Sequence, residues 1–345
     1  MKPLLSDYTL EQLQALLAAL GEKPFRARQL FEGIQQGKDW DELTNVGKAL
    51  KDKLSAEYDC QGVKIVQKLV SKDGTCKYLF ALRDGNIIEG VVMRYHYGNT
   101  ICISTQVGCR MNCGFCASGI DGLVRNLSAG EMLGEVVAAN RDFEGDIKKR
   151  AITNVVLMGS GEPMDNYDNV SLFLRLLMAP EGLNISLRNV SLSTCGLVSG
   201  VDRLIADKLW VTLTFSLHAP NDRIRSGLMP VNKAHPIAEV MAAAKRYFEA
   251  SGRRVVFEYT LIKGQNDSDQ CALELAQLVR GFPTHVNLIV LNYVKEKGLQ
   301  ATARERAKEF LQILEKNGVS ATIRRTMGAD IEGACGQLRR KYIGN

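Results

Sequence analysis

Thr100-Ile101-Cys102-Ile103-Ser104-Thr105 is a short, β-branched run, followed by the glycine- and cysteine-bearing loop QVGCRMNCGFC at residues 106–116. Such a run has the length of a buried strand and is too short for a helix. The pattern recurs downstream. NVVLMG (154–159), NVSLST (189–194), WVTLTFSLH (210–218), VVFEYTLI (255–262) and HVNLIVLN (285–292) are separated by helical stretches. One of these helices opens on a capping box, Ser128-Ala129-Gly130-Glu131. Six β–α units with near-continuous apolar strands predict an α/β fold with a parallel sheet covered by helices. No GxGxxG follows the first strand, which favours a partial (β/α)6 barrel over a dinucleotide-binding sheet. Chemistry in such a barrel sits at the C-terminal ends of the strands. A seventh short strand, VSATIRR (319–325), precedes the C-terminal tail.

Upstream the grammar differs. Thr9-Leu10-Glu11-Gln12 reads as a capping box, followed by leucines at 10, 13, 16, 17 and 20 on one helical stripe. FRARQLFEGIQQG and LTNVGKALKDKLSAEY predict a second and a third helix. VKIVQKLV and CKYLFALRDGNIIEGVVMRY then alternate as a β-meander, with turns at Asp73-Gly74 and Asp84-Gly85. The expected organisation is an accessory helical and meander module at 1–95, a barrel at 96–325 and a tail at 326–345.

Hydrophobic residues at 46% and charged residues at 24% describe an ordinary globular chain. No apolar run approaches a membrane span, and MKPLLSDYTLEQL is no secretory signal, so a cytoplasmic protein without membrane contact is expected. The net charge of +6 permits nucleic-acid binding without demonstrating it. Nine cysteines in such a chain are not a disulfide framework. Cys60, Cys76, Cys195 and Cys271 read as small buried apolar residues.

Cys109, Cys113 and Cys116 are different. Their C-x3-C-x2-C spacing puts three thiolates within eight residues, enough for three corners of a four-iron cluster. One iron is then left open to a chelating molecule. A structural zinc site needs four closed ligands, and no fourth Cys or His stands nearby at finger-like spacing. A zinc-stabilised RNA-binding protein without catalysis is the alternative from another class.

The loop and its surroundings, CISTQVGCRMNCGFCASGIDGLVRNL (102–127), resemble the RlmN/Cfr family of radical S-adenosylmethionine (SAM) RNA adenine methyltransferases. The resemblance extends through FRARQLFEGI, MGSGEPMDNYDNV, FSLHAPNDRIRSGLMPVNK, NLIVLNY and RRTMGADIEGACGQL. It implies a radical SAM partial barrel, a [4Fe-4S] cluster on Cys109, Cys113 and Cys116, and SAM contacts at Gly161, Glu162, Ser193, Ser216, Leu217, His218 and Asn292. Polar residues recurring at strand ends support one shared mouth. The resemblance also implies that Cys335 carries a methyl group, that Cys102 resolves the protein–RNA adduct, and that Glu89 accepts the ring proton. Two SAM molecules are then used per turnover. The implied substrates are 23S rRNA and tRNA beside the anticodon, methylated at adenine C2 as in RlmN, with Cfr-type C8 methylation as the alternative. An electron donor such as flavodoxin or ferredoxin and a monomeric state are further expectations.

Three departures stand out: Ser160 where the family commonly has Met, Cys195 where it often has Ser, and Val290 in place of Pro. Candidate phosphate contacts are Lys23, Arg26 and Arg28 near the start of the second helix. Arg324, Arg325, Arg339, Arg340 and Lys341 flank the Cys335 segment.

Overall fold

The computed structural model describes residues 1–331. Cys335, Arg339, Arg340 and Lys341 lie outside the described residues. Three helices open the chain, α1 (Leu10–Ala19), α2 (Pro24–Gln35) and α3 (Lys48–Glu57). Thr9 caps α1 in a reciprocal box with Gln12, and Pro24 starts α2 where its missing N–H costs nothing. The third helix starts later than its sequence stretch suggests. Gly47 is its N-cap, and residues 43–46 form a turn before it. Leu13, Leu17, Leu30, Phe31, Ile34, Leu50 and Leu54 face inward from these helices and join the main core.

The meander strands β1 (Val63–Val70), β2 (Cys76–Leu82), β3 (Ile87–Tyr95) and β4 (Gly98–Ile103) pair antiparallel in succession. Gly74 (φ 83°) and Gly85 (φ 82°) make the first two turns, in a backbone region that suits glycine. β4 belongs to two structures at once. One edge pairs with β3, and the other pairs in parallel with the next barrel strand, so the sheet runs without a break across residue 95.

A small antiparallel ribbon follows, β5 (Gln106–Gly108) and β6 (Leu123–Asn126), and its long connecting loop carries the three clustered cysteines. The alternating units then run α4 (Ala129–Asp142), β7 (Ile152–Leu157), α5 (Tyr167–Leu177), β8 (Val190–Thr194), α6 (Val198–Ala206) and β9 (Thr212–Ser216). They continue through α7 (Asp222–Leu228), α8 (Ile237–Ser251), β10 (Val255–Leu261), α9 (Asp269–Leu278), β11 (Thr284–Val290), α10 (Arg304–Lys316) and β12 (Ala321–Ile323). The sheet has ten strands in the order β1-β2-β3-β4-β7-β8-β9-β10-β11-β12, and from β4 onward every pairing is parallel. The result is an open partial α/β barrel extended by the meander. All seven residues of β10 are buried, as expected of a strand covered on both faces.

Candidate active site

The cysteine loop is held at both its ends and its middle. Cys109 N–H donates to the Gly122 carbonyl (2.9 Å), closing the β5–β6 ribbon, and Gly114 N–H donates to the Leu228 carbonyl at the end of α7 (2.8 Å). Met111, Cys113 and Phe115 pack on an apolar cluster of Cys195, Leu228, Met229, Ile262 and Leu291. Cys109, Cys113 and Cys116 stay partly exposed, whereas Cys60, Cys76, Cys102, Cys195 and Cys271 are buried. Burial pushes the Cys109 thiol up to about 12 and the Cys113 thiol higher, and each is raised further by its neighbouring cysteines. Three thiols on one short loop suit a metal centre, which deprotonates its ligands outright. Three thiols can hold three corners of a four-iron cluster, whereas a structural zinc takes four closed ligands, so the donor set fits a cluster better than zinc.

The Gly159–Pro163 segment leaves the end of β7 and packs against the connection from β4 to β5. Gly161 has φ 110°, and a Cβ there would stand 2.7 Å from Gln106 N and Thr105 Oγ1. Only glycine fits. Ser160, one of the family departures, donates its hydroxyl to the Gly108 carbonyl (3.3 Å), next to Cys109. Glu162 is buried and works as a clamp: Oε1 accepts from Met164 N–H (3.0 Å) and Oε2 from Cys195 N–H (2.7 Å). Burial raises its pKa, and these backbone donors oppose the rise.

On the neighbouring strands Ser193, Ser216 and Glu258 form a polar row. Ser193 Oγ lies 3.1 Å from Ser216 Oγ and donates to Glu258 Oε2 at 3.2 Å. Glu258 Oε1 pairs with Arg324 at 3.3 Å, so that arginine is partly committed inside the protein. The backbone N–H groups of Leu217 and His218 both donate to the Glu258 carbonyl. His218 sits at φ 55°, unusual for a non-glycine residue and frequent at functional sites. Its Nδ1 accepts from Thr260 N–H (3.0 Å), and its ring meets Phe115 edge-on at 4.7 Å. Burial and the Arg225 charge lower its pKa to about 3, so the ring is neutral and carries its proton on Nε2. His218 thus packs against the cysteine loop through Phe115. Asn292, two residues past β11, is exposed.

Cys102 and Glu89 share one face of the sheet. Cys102 pairs with Val91 across β3–β4, and Glu89 lies two residues from Val91 on the same side. Val91, Met93 and Cys102 form a small apolar cluster reached by Val156, Met158 and, from the C-terminal segment, Met327. Glu89 is buried and pairs with the fully buried Lys77 at 3.2 Å. Beyond Met327 the chain is clasped to the β1–β2 turn. Gly328 N–H donates to Asp73 Oδ2 (2.9 Å), Lys72 N–H donates to Asp330 Oδ2 (3.1 Å), and Ser71 Oγ donates to the same carboxylate.

Residues 103–276 match the model of the radical SAM superfamily, and residues 4–59 match that of the ribosomal RNA large subunit methyltransferase N-terminal domain. Over 342 residues the chain is 47% identical to a probable dual-specificity RNA methyltransferase RlmN of Thermoanaerobacter sp. (strain X514), covering 98% of each. Over 343 residues it is 49% identical to a protein of the same description from Alkaliphilus oremlandii (strain OhILAs), covering 99% of this chain and 98% of that one. The chain belongs to the RlmN family of radical SAM RNA methyltransferases. A crystal structure of a radical SAM methyltransferase from Sphaerobacter thermophilus matches with a TM-score of 0.93 at 45% identity, covering 97% of this chain and 98% of that one. Membership implies a [4Fe-4S] cluster and SAM. No helix among the described residues is long and apolar enough to cross a membrane.

In this RlmN-family member the basic residues near α2 differ in their freedom. Lys23 is exposed, Arg26 bonds Gln29 and the Asn45 carbonyl, and Arg28 pairs with Glu32 at 2.8 Å. Sequence reasoning passed over Lys77, Glu258, Arg225 and the clasp of Asp73 with the tail. A lone acid inside VVFEYTLI and a lone base inside CKYLFAL were the available signals, since an apolar strand admits a charge only with a partner.

Proposed function

We propose that the protein methylates C2 of an adenine in 23S rRNA, and of tRNA beside the anticodon, through a methyl group carried on Cys335. The Cys335 thiolate takes a methyl from one SAM by displacement, because an adenine ring carbon is too weak a nucleophile to do so itself. The cluster, held by Cys109, Cys113 and Cys116, supplies when bound the electron that splits a second SAM. Gly161, Glu162, Ser193, Ser216, Leu217, His218 and Asn292 would line the SAM site. Glu162 and His218 act there by fixing backbone and loop. The 5′-deoxyadenosyl radical from the second SAM removes a hydrogen atom from the S-methyl group, whose carbon then bonds to the base. The adduct gives back one electron and its ring proton passes to Glu89. The Cys102 thiolate attacks the Cys335 sulfur, breaking its bond to the methyl carbon. The methylated base is then released and a disulfide remains for reduction. Flavodoxin or ferredoxin is the proposed electron source.

The observation that carries this reading is the shared face of Cys102 and Glu89, with Met327 of the tail packed into it. Met327 lies eight residues before Cys335. The test is Cys102→Ala, which should stall with RNA bound covalently to the protein, while Cys335→Ala should carry none. A Cys102→Ala protein that turns over freely, with no RNA surviving denaturation, would defeat the scheme.

A further inference from the structure

Arg225 is the largest fully buried side chain among the described residues. Its guanidinium is bonded entirely to neutral acceptors. Nη2 donates to the carbonyls of Cys195 (2.6 Å) and Ser216 (3.2 Å), Nε to the carbonyl of Leu217 (3.2 Å), and Nη1 to Asn232 Oδ1 (2.9 Å) and the carbonyl of His235 (3.2 Å). No carboxylate forms an ion pair with it among the described residues. Asp222 on the same helix acts on it only from beyond ion-pair distance, and a buried guanidinium with satisfied hydrogen bonds but no ion pair remains costly. Evolution toward a neutral residue would remove that cost unless the charge itself has a use.

The position suggests the use. Cys195, whose carbonyl Arg225 holds, packs in the same apolar cluster as Cys113. Leu228, three residues on in α7, accepts the hydrogen bond from Gly114 in the middle of the cysteine loop. Arg225 therefore stands directly behind the wall that carries the loop. Three thiolates outweigh the charge of an oxidised four-iron core, and reduction adds one more negative charge. A fixed cation in a low-dielectric wall favours the more negative form.

We propose that Arg225 is a positioning residue with an electrostatic function: it is the counter-charge of the thiolate-bound cluster and raises its reduction potential. Burial without a carboxylate partner and the shared packing with the cysteine loop carry the inference. It rests on Cys109, Cys113 and Cys116 as the cluster ligands, which loss of iron from Cys113→Ala checks independently.

Two variants separate charge from scaffolding. Asn232→Asp puts a carboxylate where Nη1 already binds, cancelling the charge while the guanidinium keeps its carbonyl bonds. Arg225→Lys keeps the charge and gives up part of the bonding. Each full-length protein is reconstituted anaerobically, and its cluster is titrated with reductant while the reduced state is followed by electron paramagnetic resonance. The expected order is a lower midpoint potential for Asn232→Asp and a value nearer the unmutated one for Arg225→Lys. If a variant loses iron, the same ordering applies to iron content, with Asn232→Asp the poorer holder. The reverse order, or equal potentials in Asn232→Asp and the unmutated protein, would overturn the proposal and leave Arg225 a purely structural staple.

Discussion

At the scale of single residues, Gly161 and Gly85, both with positive φ, separate backbone strain from site geometry. Gly161→Ala combines φ 110° with a Cβ 2.7 Å from backbone and side-chain atoms of residues 105 and 106. It should cost on the order of 2–3 kcal/mol of stability and weaken SAM binding. Gly85→Ala, with φ 82° and nothing within 4 Å of the new Cβ, should cost about 1 kcal/mol and leave SAM affinity alone. Chemical denaturation and equilibrium dialysis measure the two effects. Equal loss of SAM binding in both would deny the loop its role. Lys77 poses a different problem. Lys77→Met leaves the buried Glu89 carboxylate without this cation and should destabilise by about 3 kcal/mol. Adding Glu89→Gln should recover most of that loss in a double-mutant cycle. Glu89 itself was readable as a candidate only by resemblance, because NIIEGVVMRY alone suggests an exposed strand carboxylate. Burial beside Lys77 comes from the sheet folding over that face, which a local sequence cannot express.

Among elements, the docking of the C-terminal segment onto the β1–β2 turn joins parts 255 residues apart in sequence through Asp73 and Gly328. Asp330 returns the contact to Ser71 and Lys72. The backbone N–H of Gly328 heads the hydrogen bonds that hold the Asp73 carboxyl well below the usual carboxylate range. Asp73→Ala should release this clasp and lower RNA methylation several-fold, while SAM cleavage in the absence of RNA stays near normal. Counting methylated RNA against 5′-deoxyadenosine checks it. An unchanged ratio would mean that the clasp does not serve the tail. The Asp73-Gly74 turn was legible as a turn from its dipeptide. Its second use, as a dock, was not, since that depends on where residue 328 returns. The capping box at Ser128 was fully legible because a capping box is a four-residue device, and Glu131 closes it as written.

Across the whole molecule, Arg125 links the meander to the barrel. It meets Asp84 of the β2–β3 turn at 2.5 Å and Glu131 at the start of α4 at 2.8 Å. Burial alone would raise Asp84, but the hydrogen bonds from Arg125 and Asn86, together with the Arg125 charge, outweigh it and the pKa falls from 3.8 to about 2. The unfolded chain then binds more protons between these values. The contribution is therefore present above about pH 4 and is lost as the pH falls through 2. Allowing for solvent screening, it is on the order of 1 kcal/mol. Arg125→Met should flatten that part of the acid limb, read as denaturation midpoints from pH 5 down to 2.5, and an unchanged slope would refute the link. The alternation of barrel strands and helices, the capping boxes at Thr9 and Ser128 and the C-x3-C-x2-C loop were set by the sequence alone, because periodicity, caps and ligand spacing act over a few residues. Only the tertiary structure merged the meander with the barrel sheet, paired Lys77 with Glu89, and placed Arg225 behind the cysteine loop. Each of these joins segments distant in sequence, and a buried charge acquires its partner only when the chain closes around it.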